Sequence, residues 1–199
     1  MSAICGYVGA ADPQVLERML AAADYRGDTS DIAVGDGVGI GYRGWRGRPG
    51  KSTGVHRKGA DLAAVAGSFA PPLPSPAAVL GDVIGSPASP ETLDGHFRAA
   101  PWGAGRRRLT ILRDPFGVRS MFTTEHKGVF YFASELKQLL AIPGLPIELD
   151  PVAVHKYLTF SFVPGEQVPV RGIKRVLPGR LGVFEGGRFT TTPYFELRE

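Results

Sequence analysis

At 199 residues the chain is long enough for one sizeable core, and its 43% hydrophobic and 21% charged content is that of an ordinary globular protein, with no apolar run near the ~20 residues of a membrane span. A single cysteine rules out an intrachain disulfide or a multi-cysteine zinc site, and the four histidines (His56, His96, His126, His155) lie too far apart to show ligand spacing, so no metal is expected. The net charge of +4 is modest, and its densest basic run, Arg106-Arg107-Arg108, reads as a solvated turn between strands because no aromatic residues interleave with it; neither nucleic acid nor membrane is an expected partner. No basic segment leads into an apolar stretch at the N-terminus, so a secretory signal is not expected and the cytoplasm is the default location.

Ile4 to Val8 is short, apolar and β-prone, and reads as a first, buried strand. Asp12-Pro13 opens a helix in which Val15, Leu16, Met19, Leu20 and Ala23 recur at helical spacing, ending near Asp24 before the turn Tyr25-Arg26-Gly27-Asp28. Residues 32–46 alternate as strands, 47–59 form a basic glycine-rich loop, and Leu62 to Ala66 is another short apolar strand. Four prolines between 71 and 76 keep the chain extended, and a short helix is expected at Ala77–Ile84. Strands follow at Leu109–Leu112, Met121–Thr124 and Val129–Phe132, the first two flanking the turn Asp114-Pro115-Phe116-Gly117. Ser134 and Glu135 open a helix through Leu140, and Asp150-Pro151 caps another through Leu158. A hairpin is expected across Glu185-Gly186-Gly187.

Several segments carry a family resemblance. The chain opens Met1-Ser2-Ala3-Ile4-Cys5-Gly6-Tyr7-Val8-Gly9, and Tyr25-Arg26-Gly27-Asp28, Leu93-Asp94-Gly95-His96-Phe97, Arg113-Asp114-Pro115-Phe116-Gly117-Val118-Arg119 and Phe132-Ala133-Ser134-Glu135-Leu136-Lys137 follow in order. Glu148-Leu149-Asp150-Pro151, Phe162-Val163-Pro164-Gly165 and the run Gly172-Ile173-Lys174-Arg175-Val176-Leu177-Pro178-Gly179 complete the string. Together they resemble the class II glutamine amidotransferase domain of the asparagine synthetase, lasso-peptide cyclase and β-lactam synthetase type. The resemblance implies an α+β fold, a four-layer αββα sandwich of two antiparallel sheets of the N-terminal-nucleophile hydrolase type. It also implies that 1–199 is a single glutaminase-type domain lacking the ATP-pyrophosphatase domain. ATP and Mg would then belong only to that absent synthetase domain or partner, and no cofactor is expected in this chain.

Against the family pattern, the residues that hydrolysis needs are altered. An N-terminal nucleophile is expected where this chain has Ser2, a poorer nucleophile than cysteine; Cys5 offers a second register after removal of Met1 to Ile4. Spacing favours Ser2, which lies 24 residues before Arg26 against 21 for Cys5. Ala66-Gly67-Ser68 stands where the resemblance places an asparagine oxyanion donor, leaving the Gly67 N–H alone. The family's carboxylate-binding arginine falls at Gly44, with Arg43 or Arg46 as neighbours, and the ammonium-binding acid falls within Ser75-Pro76-Ala77-Ala78, which has no acid. The expected reading is a vestigial pocket at Arg26, Arg43, Ala66 and Gly67 in a pseudoenzyme of amide bond formation. A synthetase partner would dock on the segment from Tyr157 to Leu197, with Tyr157, Phe160, Phe162 and Val163 as contacts, and a homodimer is left open. The alternative is an active amidohydrolase using Ser2, or Cys5 after processing.

Overall fold

The first strand, β1 (Ala3–Val8), is buried at every position because it runs through the middle of a six-stranded antiparallel sheet. The computed structural model describes residues 2–46, 54–70, 90 and 93–196. In the first sheet, β1 lies between β3 (Val38–Gly44) and β9 (Val129–Ala133). β2 (Thr29–Gly35) closes one edge; β8 (Phe122–His126) and β10 (Ile173–Arg175) complete the other. The second sheet has the order β12 (Arg188–Pro193), β11 (Arg180–Glu185), β7 (Arg108–Arg113), β6 (Gly95–Gly103), β5 (Asp61–Phe69), β4 (Gly54–Lys58), also antiparallel throughout.

Strand alternation distributes the side chains between two layers. Ile4 and Val8 of β1 join Ile40, Ala66, Trp102, Leu109, Ile111 and Phe132 in the core between the sheets. Cys5 and Tyr7 point the other way, toward α1 (Gln14–Ala21), whose Val15, Leu16, Met19 and Leu20 are buried against them. A second, short helix, α2 (Leu136–Leu140), packs in the same outer layer through Leu139. The result is an α+β fold of two antiparallel sheets with flanking helices, as the family pattern implies.

Local chemistry explains the helix starts. The Asp12 carboxylate accepts the Gln14 N–H at 2.9 Å. At α2, a capping box joins Glu135 and Gln138, with the Glu135 N–H donating to Gln138 Oε1 at 3.1 Å. At α3 (Pro151–Phe160), Asp150 Oδ1 accepts from the Val152 N–H at 2.9 Å and the Ala153 N–H at 3.4 Å, while Pro151 occupies a first-turn position whose missing N–H costs nothing. Asp150→Ala is therefore expected to lower stability by about 1 kcal/mol, read as a fall in the urea midpoint at unchanged slope.

Three expectations are revised. α1 stops at Ala21, and the remaining residues to Arg26 form a separate 3-10 turn at Asp24–Arg26. Part of the expected 47–59 loop is a strand, because residues 54–58 pair as β4 with the edge of β5. Arg108, expected in the basic turn, instead opens β7; Arg106 and Arg107 do lie in the turn, where Arg107 adopts a left-handed φ of 48° and pairs with Asp36 at 2.7 Å in the open. The proline run at 71–76 and the helix expected at 77–84 lie outside the described residues.

Candidate functional site

Ser2 sits half-buried immediately before β1. Ile4 turns into the inter-sheet core, and the Ser2 carbonyl just before the strand is reached by Arg98 from the opposite sheet. Cys5 is on the opposite side. Its side chain is fully buried against the helix layer, and burial pushes the thiol well above its ordinary value. Two bonds fix the intervening residue: the Ile4 N–H donates to Ser134 Oγ at 2.8 Å, and the Ser134 N–H donates to the Ile4 carbonyl at 2.9 Å.

Across the sandwich, Ala66 of β5 also faces the inter-sheet core. Its neighbour Gly67 has a φ of +149°, and a Cβ there would come within 2.2 Å of the His96 carbonyl, so the strand accepts only glycine at this point. Ala66 is the cross-strand partner of Arg98 in β6, and Arg98 is in turn the partner of Arg113 in β7. The three therefore form one row on the inward face. Arg98 is only 2% exposed. Its guanidinium crosses to the first sheet, donating to the Ser2 carbonyl and, at 3.0 Å, to the Ser120 carbonyl. Desolvation lowers its pKa to about 9, with repulsion from Arg119 adding to the effect.

Charge is concentrated around this row. Arg26 forms an ion pair with Glu135, and its guanidinium lies 5.1 Å from the Tyr25 ring centre. Asp114 is completely buried, its two oxygens accepting the Val118 and Arg119 N–H groups at 2.9 Å each. Arg113 donates to the carbonyls of Arg119 and Gly117, both at 2.7 Å, and to that of Val176. Tyr194 closes the motif from below by donating its hydroxyl to the Arg113 carbonyl at 2.6 Å. The Arg-Asp-Pro-Phe-Gly segment is thus a turn locked by its own two charged side chains.

Among the sequence-predicted pocket residues, Ser2, Ala66 and Gly67 lie at this inter-sheet end, and Arg26 lies near enough to Arg98 to act on its charge. Arg43 is engaged elsewhere: its Nε donates to the Gly27 carbonyl at 2.9 Å and sits 3.4 Å from that of Asp24. That turn is held tightly, since a Cβ on Gly27 would meet the Gly44 carbonyl at 2.0 Å. Arg46 is exposed, its backbone N–H bonded to Asp28. Residues 75–78, expected to stand in place of the ammonium clamp, lie outside the described residues. A cleft of about 220 Å³ opens at the other end of β1, lined by Asp12, Arg18, His126 and Lys127 among others, and contains none of the predicted pocket residues.

The docking segment divides in two. Tyr157 (54%), Leu158 (76%), Phe160 (56%) and Phe162 (60%) are open to solvent, and only Ala153 of α3 is buried. Val163, expected among the contacts, is buried and not open to a partner. Among the described residues no helix is long and apolar enough to cross a membrane.

Sequence reasoning missed Arg98. The signal was available: it occupies the same inward phase of its strand as Ala100 and Trp102, and a lone cation on an apolar strand face demands explanation.

Comparison with known proteins agrees with the two-sheet fold. The family model described as "Glutamine amidotransferase domain" matches residues 82–195. Asparagine synthetase [glutamine-hydrolyzing] 1 of Bacillus subtilis (strain 168) is 33% identical over 105 residues, covering 52% of this chain and 16% of the relative. The amidase chyE of Penicillium rubens is 31% identical over 106 residues, covering 53% of this chain and 15% of the relative. In three dimensions the chain resembles the glutamine phosphoribosylpyrophosphate amidotransferase of B. subtilis, with a TM-score of 0.62 at 14% identity over 97% of this chain and 49% of that one. The matches thus span about a sixth of the curated relatives and about half of this structural neighbour.

Proposed function

Because the chain belongs to the glutamine amidotransferase domain family, we propose that it is a member with a degenerate glutaminase site, serving as the partner-binding component of an ATP-dependent amide-forming system in the cytoplasm. The observation that carries the reading is the inward row Ala66–Arg98. Hydrolysis of an amide needs a donor aimed at the developing oxyanion, and loss of one such side chain costs roughly 10²–10³ in rate. Here an alanine stands at that position, and its neighbour is an arginine already committed to two carbonyls. Arg43, held by the Gly27 carbonyl, is a poor clamp for a substrate carboxylate.

The partner half of the reading is supported by exposed apolar residues on α3 and just beyond its end. Tyr157, Leu158, Phe160 and Phe162 form an exposed cluster of the kind that marks a contact surface, with the rings of Phe160 and Phe162 6.4 Å apart. A synthetase domain or subunit is the proposed occupant, and a second copy of the chain is the competing one. ATP and Mg are assigned to the synthetase and not to this chain.

A second reading, an amidohydrolase using Ser2, is favoured by the contact of Ser2 with the inward row at Arg98 and by the likeness to an amidase. Intact mass before and after exposure to a diazoketone glutamine analogue separates the two. The degenerate site is expected to give loss of Met1 with no adduct and no glutamate release from glutamine. An adduct on Ser2 replaces the first reading with the second.

A further inference from the structure

Arg98 is a buried cation that no carboxylate neutralises directly among the described residues. Glu135 is paired with Arg26, and both oxygens of Asp114 are occupied by backbone N–H groups. The Arg98 Nε has no hydrogen-bond partner among the described residues. Burying a charge on such terms is costly, and an apolar side chain of similar length would ordinarily serve a core better. What the arginine does uniquely is reach. It starts beside Ala66 in the second sheet and ends on the carbonyls of Ser2, just before β1, and Ser120, just before β8, both strands of the first sheet.

We propose that Arg98 is a positioning residue, a cross-sheet latch that anchors the start of β1 through the Ser2 carbonyl and occupies the space in front of Ala66. The main-chain direction at Ser2, and with it the direction of the Ser2 hydroxyl, is then set from the opposite sheet and not by β1 pairing alone. That pairing begins only at Ala3, opposite Arg43. The Ser120 carbonyl shares the same guanidinium, so the segment leading into β8 is tied to the chain start through one side chain. Ser120 also donates its hydroxyl to the Ser134 carbonyl at 2.8 Å, which couples the latch to the Ser134–Ile4 bonds. The filling of the space before Ala66 as a closed pocket rests on the degenerate-site reading; the anchoring does not.

Arg98→Met in the full chain tests the latch. Amide exchange at Ala3 and Ile4 is expected to rise about tenfold or more, while the urea midpoint stays equal or increases because a buried cation has been replaced by an apolar chain of similar length. Unchanged protection at Ala3 and Ile4 overturns the proposal, and so does an even loss of protection across both sheets. Arg98→Ala supplies the second arm, since it leaves a gap facing two carbonyls. Methylguanidinium is expected to restore protection at Ala3 and Ile4 where methylammonium at equal concentration does not; equal effects overturn the latch. Diazoketone labelling of the wild-type chain bears on the other reading alone. An adduct on Ser2 together with a loosened β1 in Arg98→Met retires the degenerate site and leaves the latch standing.

Discussion

Native Cys5 is expected to resist alkylation by iodoacetamide by a factor on the order of 10³ or more relative to the urea-unfolded chain, since reaction must wait for global opening of a domain of ordinary stability. The sulfur is fully buried beneath α1, and a Cβ on Gly41 would stand 3.3 Å from it. Only the thiolate reacts, and burial raises the thiol pKa, so both access and ionisation oppose labelling. Labelling of the native chain at the rate of a free thiol would show that β1 opens on its own. The same burial couples Cys5 to pH. The unfolded thiol ionises above its ordinary value of 9.0 while the folded one keeps its proton. Its contribution to stability is therefore complete below pH 9.0 and is lost as pH rises further, an effect that Cys5→Ala is expected to remove. A chain trimmed to begin at Cys5 would forfeit the pairings of Ala3 with Arg43 and of Ile4 with Tyr42, together with both Ile4–Ser134 bonds, and its sulfur would still face the helices.

Arg113→Ala is expected to destabilise the chain by about 3–5 kcal/mol, a large share of a typical domain's stability. Truncation would strip the carbonyls of Arg119, Gly117 and Val176 of their donor at once, and a buried acceptor left unpaired costs ~1–3 kcal/mol. Asp114 would also lose one of the cations acting on it. Burial already lowers Arg113 to about 10, with the neighbouring Asp114 opposing the shift. Urea unfolding at constant slope is the measurement, and a loss below about 1 kcal/mol would mean that water takes over the three carbonyls. Arg113→Lys is expected to fall between, because an ammonium reproduces only part of a planar fork.

These two residues also mark the border between what the sequence by itself determined and what required the folded chain. Periodicity located β1 and the apolar face of α1, and the Asp-Pro pair before α3 was readable because a cap is a local matter of one carboxylate and the next two or three N–H groups. The ordered string of family motifs carried the two-sheet architecture for the same reason, since each motif is a turn or junction with its own short-range chemistry. Arg113-Asp114-Pro115-Phe116-Gly117 was legible as a turn, but not as one whose arginine reaches Val176, 63 positions away.

Long-range relations belong to the tertiary structure. Whether Cys5 or Ser2 faces the inter-sheet layer is a matter of strand phase against two layers, and phase acquires meaning only when both layers exist. Arg43 is close to the expected clamp in sequence, yet the fold turns it onto the Gly27 carbonyl. Phe160 and Phe162 are left exposed only by the fold, because hydrophobic content records the need for burial and not the identity of the covering surface. Arg98 is the clearest instance. Its position in β6 is local, but its two acceptors lie in the segments that lead into β1 and β8 of the opposite sheet, 96 residues away at Ser2 and 22 away at Ser120, and only the packing of one sheet on the other brings them to its guanidinium.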